Sequence, residues 1–486
     1  MLKKLIKLAR NENLLLAAII LVSFAFKTYK IDSPVADWHS FRQADTASVS
    51  RMYLKDGINL LYPKYHDLSG VQSGMRNDRG YRFVEFPLYN AIHVLFIKTF
   101  GGYSLEVWGR LTTIFLSTLS TILMFLIARE VFNKWVGLLT AFFFSFLPYS
   151  IFYSRVILPE PLATMLALLS VYLFMRYVKN QSILTFVLSA VSLALSALIR
   201  PFAVFYLILI SYLFIERLGL RNTLKRGNLF IRLMVYFTII IIPFFAWRWW
   251  IDKHPEGVPF YYWIFNSGEM RFHPSFFRWI FGERIGYLIL GIWGIFPFLL
   301  GLIFRNGKNY FIQVFMFVAL MYLSVFAAGN IRHDYYQYFI IPQISLTLSY
   351  GVYMAVTNKL FIKPVSIAAV TFSVLMMLGV SAYQVKEYYK INHPEIVEAG
   401  KFVDKNTPAD SLVIASYFGD TAFLYQTNRS GWPVVDDSIE NIIKWGADYF
   451  VSVNFSDNDL KYVTDRYKTI EKNDKFVVVD LNQKIK

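Results

Sequence analysis

The sequence predicts an α-helical polytopic membrane protein, with about 11 transmembrane helices, followed by a small C-terminal α/β domain. Three observations lead there. Apolar runs of roughly twenty residues recur between positions 12 and 383, the length a helix needs to cross the roughly 30 Å hydrocarbon layer. Only 17% of residues are charged and 56% are hydrophobic, whereas soluble proteins carry about 25% charged residues. Lysines and arginines gather in alternate short connections, as the positive-inside bias requires. Together these exclude a soluble enzyme, a disordered chain and a disulfide scaffold. The sequence has no cysteine, which excludes a thiolate nucleophile and a cysteine-ligated metal.

Apolar segments bounded by charge, proline or glycine place helices at 12–29, 107–128, 136–153, 161–178, 183–199 and 201–215. Five more fall at 232–250, 285–304, 310–328, 337–357 and 365–383. The first follows MLKKLIKLAR and ends at Phe26-Lys27-Thr28-Tyr29 without a small-residue cleavage site, so it is expected to be a retained anchor rather than a signal peptide. With the N-terminus inside, the inner connections are 1–11, 129–135, 176–182, 216–231, 305–309 and 358–364. They hold Lys3, Lys4, Lys7, Arg10, Arg129, Lys134, Arg176, Lys179, Arg217, Arg221, Lys225, Arg226, Arg305, Lys308, Lys359 and Lys363. The short outer connections carry only Arg155, Arg200 and Arg332. The net charge of +16 is therefore explained by topology and contact with anionic lipid, and not by nucleic acid.

This orientation leaves three large outer regions, 30–106, 251–284 and 384–486, which contain all seven histidines. Any active site is expected to face outward. Residues 1–383 form the expected transmembrane domain, with outer loop 1 at 30–106 carrying interfacial helices and a second outer loop at 251–284. Residues 384–486 form the expected extracytoplasmic α/β domain. There, a helix-like stretch at 395–405 precedes short β-branched or aromatic runs at 412–415, 432–435, 449–453 and 476–479, an alternation typical of α/β folds. No glycine-rich phosphate loop and no internal repeat is evident.

Outer loop 1 places Asp37, His39, Arg42, Gln43 and Asp45 within nine residues, directly after the first helix. A short amphipathic helix is expected from Ala44 to Leu54, begun near Asp45 and closed by Asp56-Gly57. One reading is a carboxylate base beside cationic and aromatic groups; the other is helix capping by Asp45 with Trp38 as an interfacial anchor. Further on, Glu85 adjoins the apolar stretch 88–100, whose length suits the interface better than a span. Arg110 at the mouth of the second span would hold a lipid phosphate or snorkel to the surface. Arg155 and Glu160 flank the prolines between the third and fourth spans, where Glu160 also suits a helix N-terminus. Arg332, His333, Asp334, Tyr335 and Tyr336 begin a span and suggest contact with a phosphate or head group, against an aromatic belt capped by Asp334. Arg200 and the Trp247–Trp250 cluster read as a snorkelling turn and an aromatic belt. A divalent metal is considered at His39, Glu85, His254, His273 or His333, although no ligand spacing stands out.

Taken in order, WHSFRQADTA, EFPLYN, Gly109-Arg110, SRVILPEP and RHDYYQYFIIPQ resemble the GT-C superfamily of membrane glycosyltransferases. The likeness is to its protein O-mannosyltransferase / aminoarabinose-transferase (glycosyltransferase family 39-like) group, and it runs from Asp37 to about Tyr350. It implies transfer of a sugar from a polyprenyl-phosphate donor to an acceptor glycan, lipid or protein, with inversion, at the outer face of a prokaryotic cytoplasmic membrane. It also implies an acidic residue early in loop 1 as general base, and arginines that neutralise the departing phosphate. The mannosyltransferase-like Asp-Glu pair is replaced by Arg42-Gln43, which leaves Asp45 or Asp37 as base, with Asp45 favoured and Glu160 in support. The lysine frequent before Pro-Leu-Tyr in the aminoarabinose group is Glu85 here. Phosphate contact therefore shifts to Arg42, Arg110, Arg155, Arg332 and His333, with His39, Gln43, Glu85 and Tyr335 supporting. A flippase for a lipid-linked sugar is the rival outside catalysis, but it would need ionisable groups at mid-span, and almost none occur. A polymerase or ligase using a lipid-pyrophosphate donor is the enzymatic rival.

Overall fold

The computed structural model describes residues 11–218, 227–305, 307 and 309–485. Lys3, Lys4, Lys7, Arg10, Arg221, Lys225, Arg226 and Lys308, which enter the orientation argument, lie outside the described residues. Two compact units emerge. The first comprises the described parts of Met1–Tyr29, Thr113–Trp247 and Tyr261–Glu387; the second comprises those of Lys30–Thr112, Arg248–Phe260 and Tyr388–Lys486. Outer loop 1 thus folds with the C-terminal region and not with the helices that flank it in sequence.

The first unit is helical. Among the described residues of the chain, five helical stretches are long and apolar enough to cross a membrane: Leu105–Val131, Glu160–Asn180, Phe230–Ile251, Asp334–Thr357 and Lys363–Asn406. Shorter apolar helices include Lys134–Phe146, Ile183–Ile199, Pro201–Glu216 and Phe311–Val325. The apolar first helix, Glu12–Lys27, is capped by the Asn11 side chain. Two expected spans are interrupted. The 136–153 segment divides into Lys134–Phe146 and Pro148–Tyr153 at Leu147, whose ψ of 121° is extended, because a residue before proline is pushed out of the helical region. The 285–304 segment divides at Gly291 and Ile292, both at positive φ, between a wide-turn stretch Arg278–Ile289 and the helix Ile295–Ile303.

Close approach between helices in this unit depends on small residues. A Cβ on Gly301 would collide with the Thr347 carbonyl, and one on Gly351 with the Pro297 carbonyl, so the Ile295–Ile303 and Ile341–Thr357 helices meet backbone to backbone. Hydroxyls join others: Tyr236 Oη lies 3.0 Å from Ser170 Oγ and 2.8 Å from Ser189 Oγ.

In the second unit, a five-stranded sheet has the order β2-β1-β3-β5-β4. Its strands are β1 (Leu412–Ala415), β2 (Ser430–Trp432), β3 (Ala447–Ser452), β4 (Tyr467–Lys472) and β5 (Val477–Lys484). β1 runs parallel to β2 and β3, while β5 is antiparallel to β3 and β4. Ile414, Trp432, Phe450, Val477 and Val479 form its core with Ile439, Ile442, Leu460 and Val463 from the covering helices. The apolar runs of β1, β3 and β5 were legible in sequence. β4 was not, since Tyr-Lys-Thr-Ile-Glu-Lys lies at the sheet edge with half of its residues exposed.

Loop 1 extends this sheet beyond β2. Gly431 N donates to His66 O at 2.9 Å and Leu68 N to Gly431 O at 2.8 Å. Gly431 has φ +154°, and a Cβ there would collide with the Val413 carbonyl, so only glycine fits between the two neighbouring strands. Within loop 1, the helix Ser40–Asp56 starts earlier than expected, with His39 in left-handed conformation at its N-cap. Asp45 therefore lies in the second turn and does not cap it.

Candidate active site

A helix packed inside a domain normally hides apolar residues. Ser40–Asp56 buries, beside Ala44, Ala47, Val49 and Tyr53, the polar Arg42, Gln43, Asp45, Thr46, Ser48 and Ser50. Such burial is costly unless each polar group finds a partner, and partners are supplied throughout. Thr46 and Ser48 hydroxyls donate to the carbonyls of Arg42 and Asp45. From the Leu88–Phe100 helix, Asn90 Nδ2 donates to Thr46 O at 2.7 Å and to Ser50 Oγ at 3.0 Å.

Three buried polar pairs dominate this face. Asp45, 2% exposed, receives Arg82 Nη2 on Oδ2 at 2.5 Å and Thr421 Oγ1 on Oδ1 at 2.6 Å. Arg82 also donates to Gln72 and stands 4.9 Å from the centre of the Tyr65 ring. Arg42 Nη2 pairs with Glu85 Oε2 at 2.6 Å, both side chains being buried. Gln43 Nε2 donates to Asp37 Oδ1 at 2.7 Å and to Trp38 O at 3.1 Å. Trp38 stacks on Tyr388 at 5.0 Å, so its ring packs within the unit as well as marking the loop's entry. His39 packs between Trp38 and Phe41.

Around Asp45 lie further ionisable groups that the linear reading did not pick out. Burial raises the Asp67 carboxyl to about 7, opposed by hydrogen bonds from Ser69 and Tyr65. Burial also lowers His66 to about 4 and raises Asp420 to about 6, where the Asp45 charge adds to the rise. Burial pushes the Tyr65 hydroxyl well above its ordinary range. His66 is thus neutral near pH 7, with Nε2 3.2 Å from Thr421 O.

Arg110 also belongs to the second unit. It is fully buried and donates to Ile31 O at 2.7 Å and Ser33 O at 2.5 Å, so it ties the start of loop 1 instead of snorkelling.

The first unit holds the other candidates. Glu160 opens the Glu160–Asn180 helix as expected, but its carboxylate is 1% exposed and paired with Arg200. Arg200 is accordingly a buried partner and not a snorkelling turn. Arg155 is fully buried, 5.8 Å from the Phe152 ring centre. Asp334 is buried too, and it does not cap an exposed belt: Tyr153 Oη donates to Oδ1 at 2.6 Å, Tyr149 Oη to its carbonyl at 2.5 Å, and Arg284 lies 3.5 Å from Oδ2. Arg332 is exposed and lies 5.2 Å from the Trp263 ring centre. His333 stacks on Tyr335 at 5.5 Å.

Loop 1 thus brings together Asp37, His39, Arg42, Gln43, Asp45 and Glu85 within one unit. Arg155, Glu160, Arg332, His333 and Tyr335 belong to the other. Sequence reading missed Arg82, Thr421, Arg284 and the buried Lys27, whose Nζ donates to Ser117 at 3.1 Å. Only Lys27 carried a readable signal, an ionisable residue at the end of an apolar helix. Among the described residues, no three His, Asp or Glu side chains gather as metal ligands; Glu85 faces Arg42, and His254 packs against Tyr81 and Phe83.

Comparison with known proteins agrees with the resemblance seen in the motifs. Residues 85–247 match the family described as dolichyl-phosphate-mannose-protein mannosyltransferase. No curated protein is matched by sequence search. Among solved structures, ArnT from Cupriavidus metallidurans bound to undecaprenyl phosphate is similar over 95% of this chain and 97% of its own, at 13% identity and TM-score 0.65. The Archaeoglobus fulgidus oligosaccharyltransferase is similar over 90% of this chain and 69% of its own, at 11% identity and TM-score 0.56. The arabinofuranosyltransferase AftD from Mycobacteria is similar over 96% of this chain and 41% of its own, at 14% identity and TM-score 0.55. At these identities the likeness establishes the fold.

Proposed function

We propose that this chain, which has the GT-C fold and resembles the mannosyltransferase / aminoarabinose-transferase group, is a polyprenyl-phosphate-sugar-dependent glycosyltransferase. It would act at the outer face of a prokaryotic cytoplasmic membrane, with its N-terminus inside. The observation that supports this most is the buried polar helix Ser40–Asp56, which directs a carboxylate, Asp45, at a hydroxyl 2.6 Å away. That is the contact an acceptor alcohol makes with a general base. The likeness to an ArnT bound to undecaprenyl phosphate supports the choice of donor class.

In the reaction, Asp45 takes the proton of the acceptor hydroxyl as its oxygen bonds to the anomeric carbon. The bond from that carbon to the phosphate oxygen breaks with inversion, and the electron pair leaves with polyprenyl phosphate. Asp37, held by Gln43, is the alternative base. Arginines of the same unit would compensate the growing phosphate charge. Arg42 and Arg110 already hold Glu85 and backbone carbonyls, so they serve such a role only by exchanging partners.

The decisive assay incubates the purified protein in nanodiscs with a panel of polyprenyl-phosphate sugars, and follows sugar release to water or transfer to membrane extract. Turnover of one donor is expected. A stable protein that turns over none, but accepts a lipid-pyrophosphate sugar or moves lipid-linked sugar across vesicles, would overturn the proposal. For orientation, a reporter fused after Lys486 is expected on the outer side, and a cytoplasmic signal would reverse the topology.

A further inference from the structure

We infer that Thr421, contributed by the C-terminal α/β region, is a positioning residue for the loop 1 carboxylate, which makes that region part of the catalytic unit. The inference rests on the reading of Asp45 as base. Thr421 opens the short helix Thr421–Gln426, 376 positions from Asp45 in sequence. Its buried hydroxyl donates to Asp45 Oδ1 at 2.6 Å, while Arg82 holds Oδ2 from the other side. Gripped at both oxygens, the carboxylate is fixed in plane. Each carboxylate oxygen has two acceptor sites, so Oδ1 keeps one for an incoming hydroxyl.

The surrounding contacts hold Thr421 in place. Its carbonyl meets His66 Nε2 at 3.2 Å, and His66 is itself tied by its backbone to Gly431 of β2. One turn along the same face, the Tyr425 ring lies under the Arg51 guanidinium at 3.9 Å, and Arg51 Nη1 donates to Tyr425 O at 3.0 Å. Gln426 Nε2 donates to Val35 O at 2.8 Å. Both ends of this helix are thus pinned to loop 1. The polar selection at its first residue is specific: valine has the same shape but no proton to donate.

The other ionisable groups around Asp45 are Arg82, Tyr65, His66 and Asp67 from loop 1, and Asp420 beside Thr421. All of these remain when Thr421 alone is changed.

The test compares Thr421→Val and Thr421→Ser, using the panel donor that the wild-type protein turns over. Thr421→Val is expected to lower kcat about tenfold and leave KM for the donor unchanged. Thr421→Ser is expected to behave as wild type. If Thr421→Val melts early, Thr421→Ala against Thr421→Ser gives the same contrast. A wild-type kcat in the hydroxyl-free variants would overturn the inference, as would equal losses in Thr421→Val and Thr421→Ser. Full activity in Asp45→Asn would instead remove the base assignment itself, whereas an inactive Asp45→Asn beside an unaffected Thr421→Val would remove only the role of Thr421.

Discussion

Asp45→Asn is expected to reduce sugar transfer by about a hundred- to ten-thousandfold, the contribution typical of a positioned general base. The amide has the shape of the carboxylate but cannot take a proton. It can turn its oxygen to Arg82 and its NH2 to the Thr421 hydroxyl, so both contacts survive without the charge. The Arg82 guanidinium, 8% exposed, then loses its counterion, and removing one member of a buried ion pair costs about 3–5 kcal/mol. Reduced activity alone would therefore be ambiguous. The double variant Asp45→Asn/Arg82→Gln separates the two effects, because it removes both charges together. Its melting temperature is expected to return most of the way to wild type while transfer stays lost. Recovery of transfer along with stability would show that Asp45 acts structurally, and attention would pass to Asp37→Asn.

Glu160→Ala is expected to destabilise the helical unit by about 3–5 kcal/mol. The carboxylate is 1% exposed and its partner Arg200 5% exposed, so the alanine variant leaves a guanidinium buried without its anion. Arg200→Met is expected to cost a similar amount by stranding Glu160. Replacing both, as Glu160→Leu/Arg200→Met, is expected to be close to neutral or stabilising, because two desolvated charges are exchanged for apolar volume. Thermal unfolding in detergent of wild type, Glu160→Leu, Arg200→Met and the double variant closes the cycle. Additive losses in the double variant would sink the ion-pair account.

Much of the molecule was legible along the chain. The helices at 183–199, 365–383 and 395–405 and the strands at 412–415 and 449–453 were readable because hydropathy and its period are properties of neighbouring residues. Where the local pattern was overridden, the cause is identifiable. Proline 148 ends a helix that hydropathy would continue, and two residues at positive φ, Gly291 and Ile292, break another inside an unbroken apolar run.

The candidate site divides the same way. Motif order in the sequence singled out Asp37, Arg42, Asp45 and Glu85 and pointed to the GT-C fold. The partners could not be read: Arg42 meets Glu85 across 43 positions, Asp45 meets Arg82 across 37 and Thr421 across 376. Arg200, read as a surface-seeking cation, is buried against Glu160, and Arg110, read as a phosphate contact or a snorkelling cation, is buried against backbone carbonyls. By itself, then, the sequence determined the membrane character, the helical scaffold and the loop where the polar chemistry lies, since burial preference and helix period act residue by residue. Only the tertiary structure decided which charges neutralise which, and that the C-terminal region folds with loop 1, because a buried charge is stable only beside a partner that the chain brings back from far along its length.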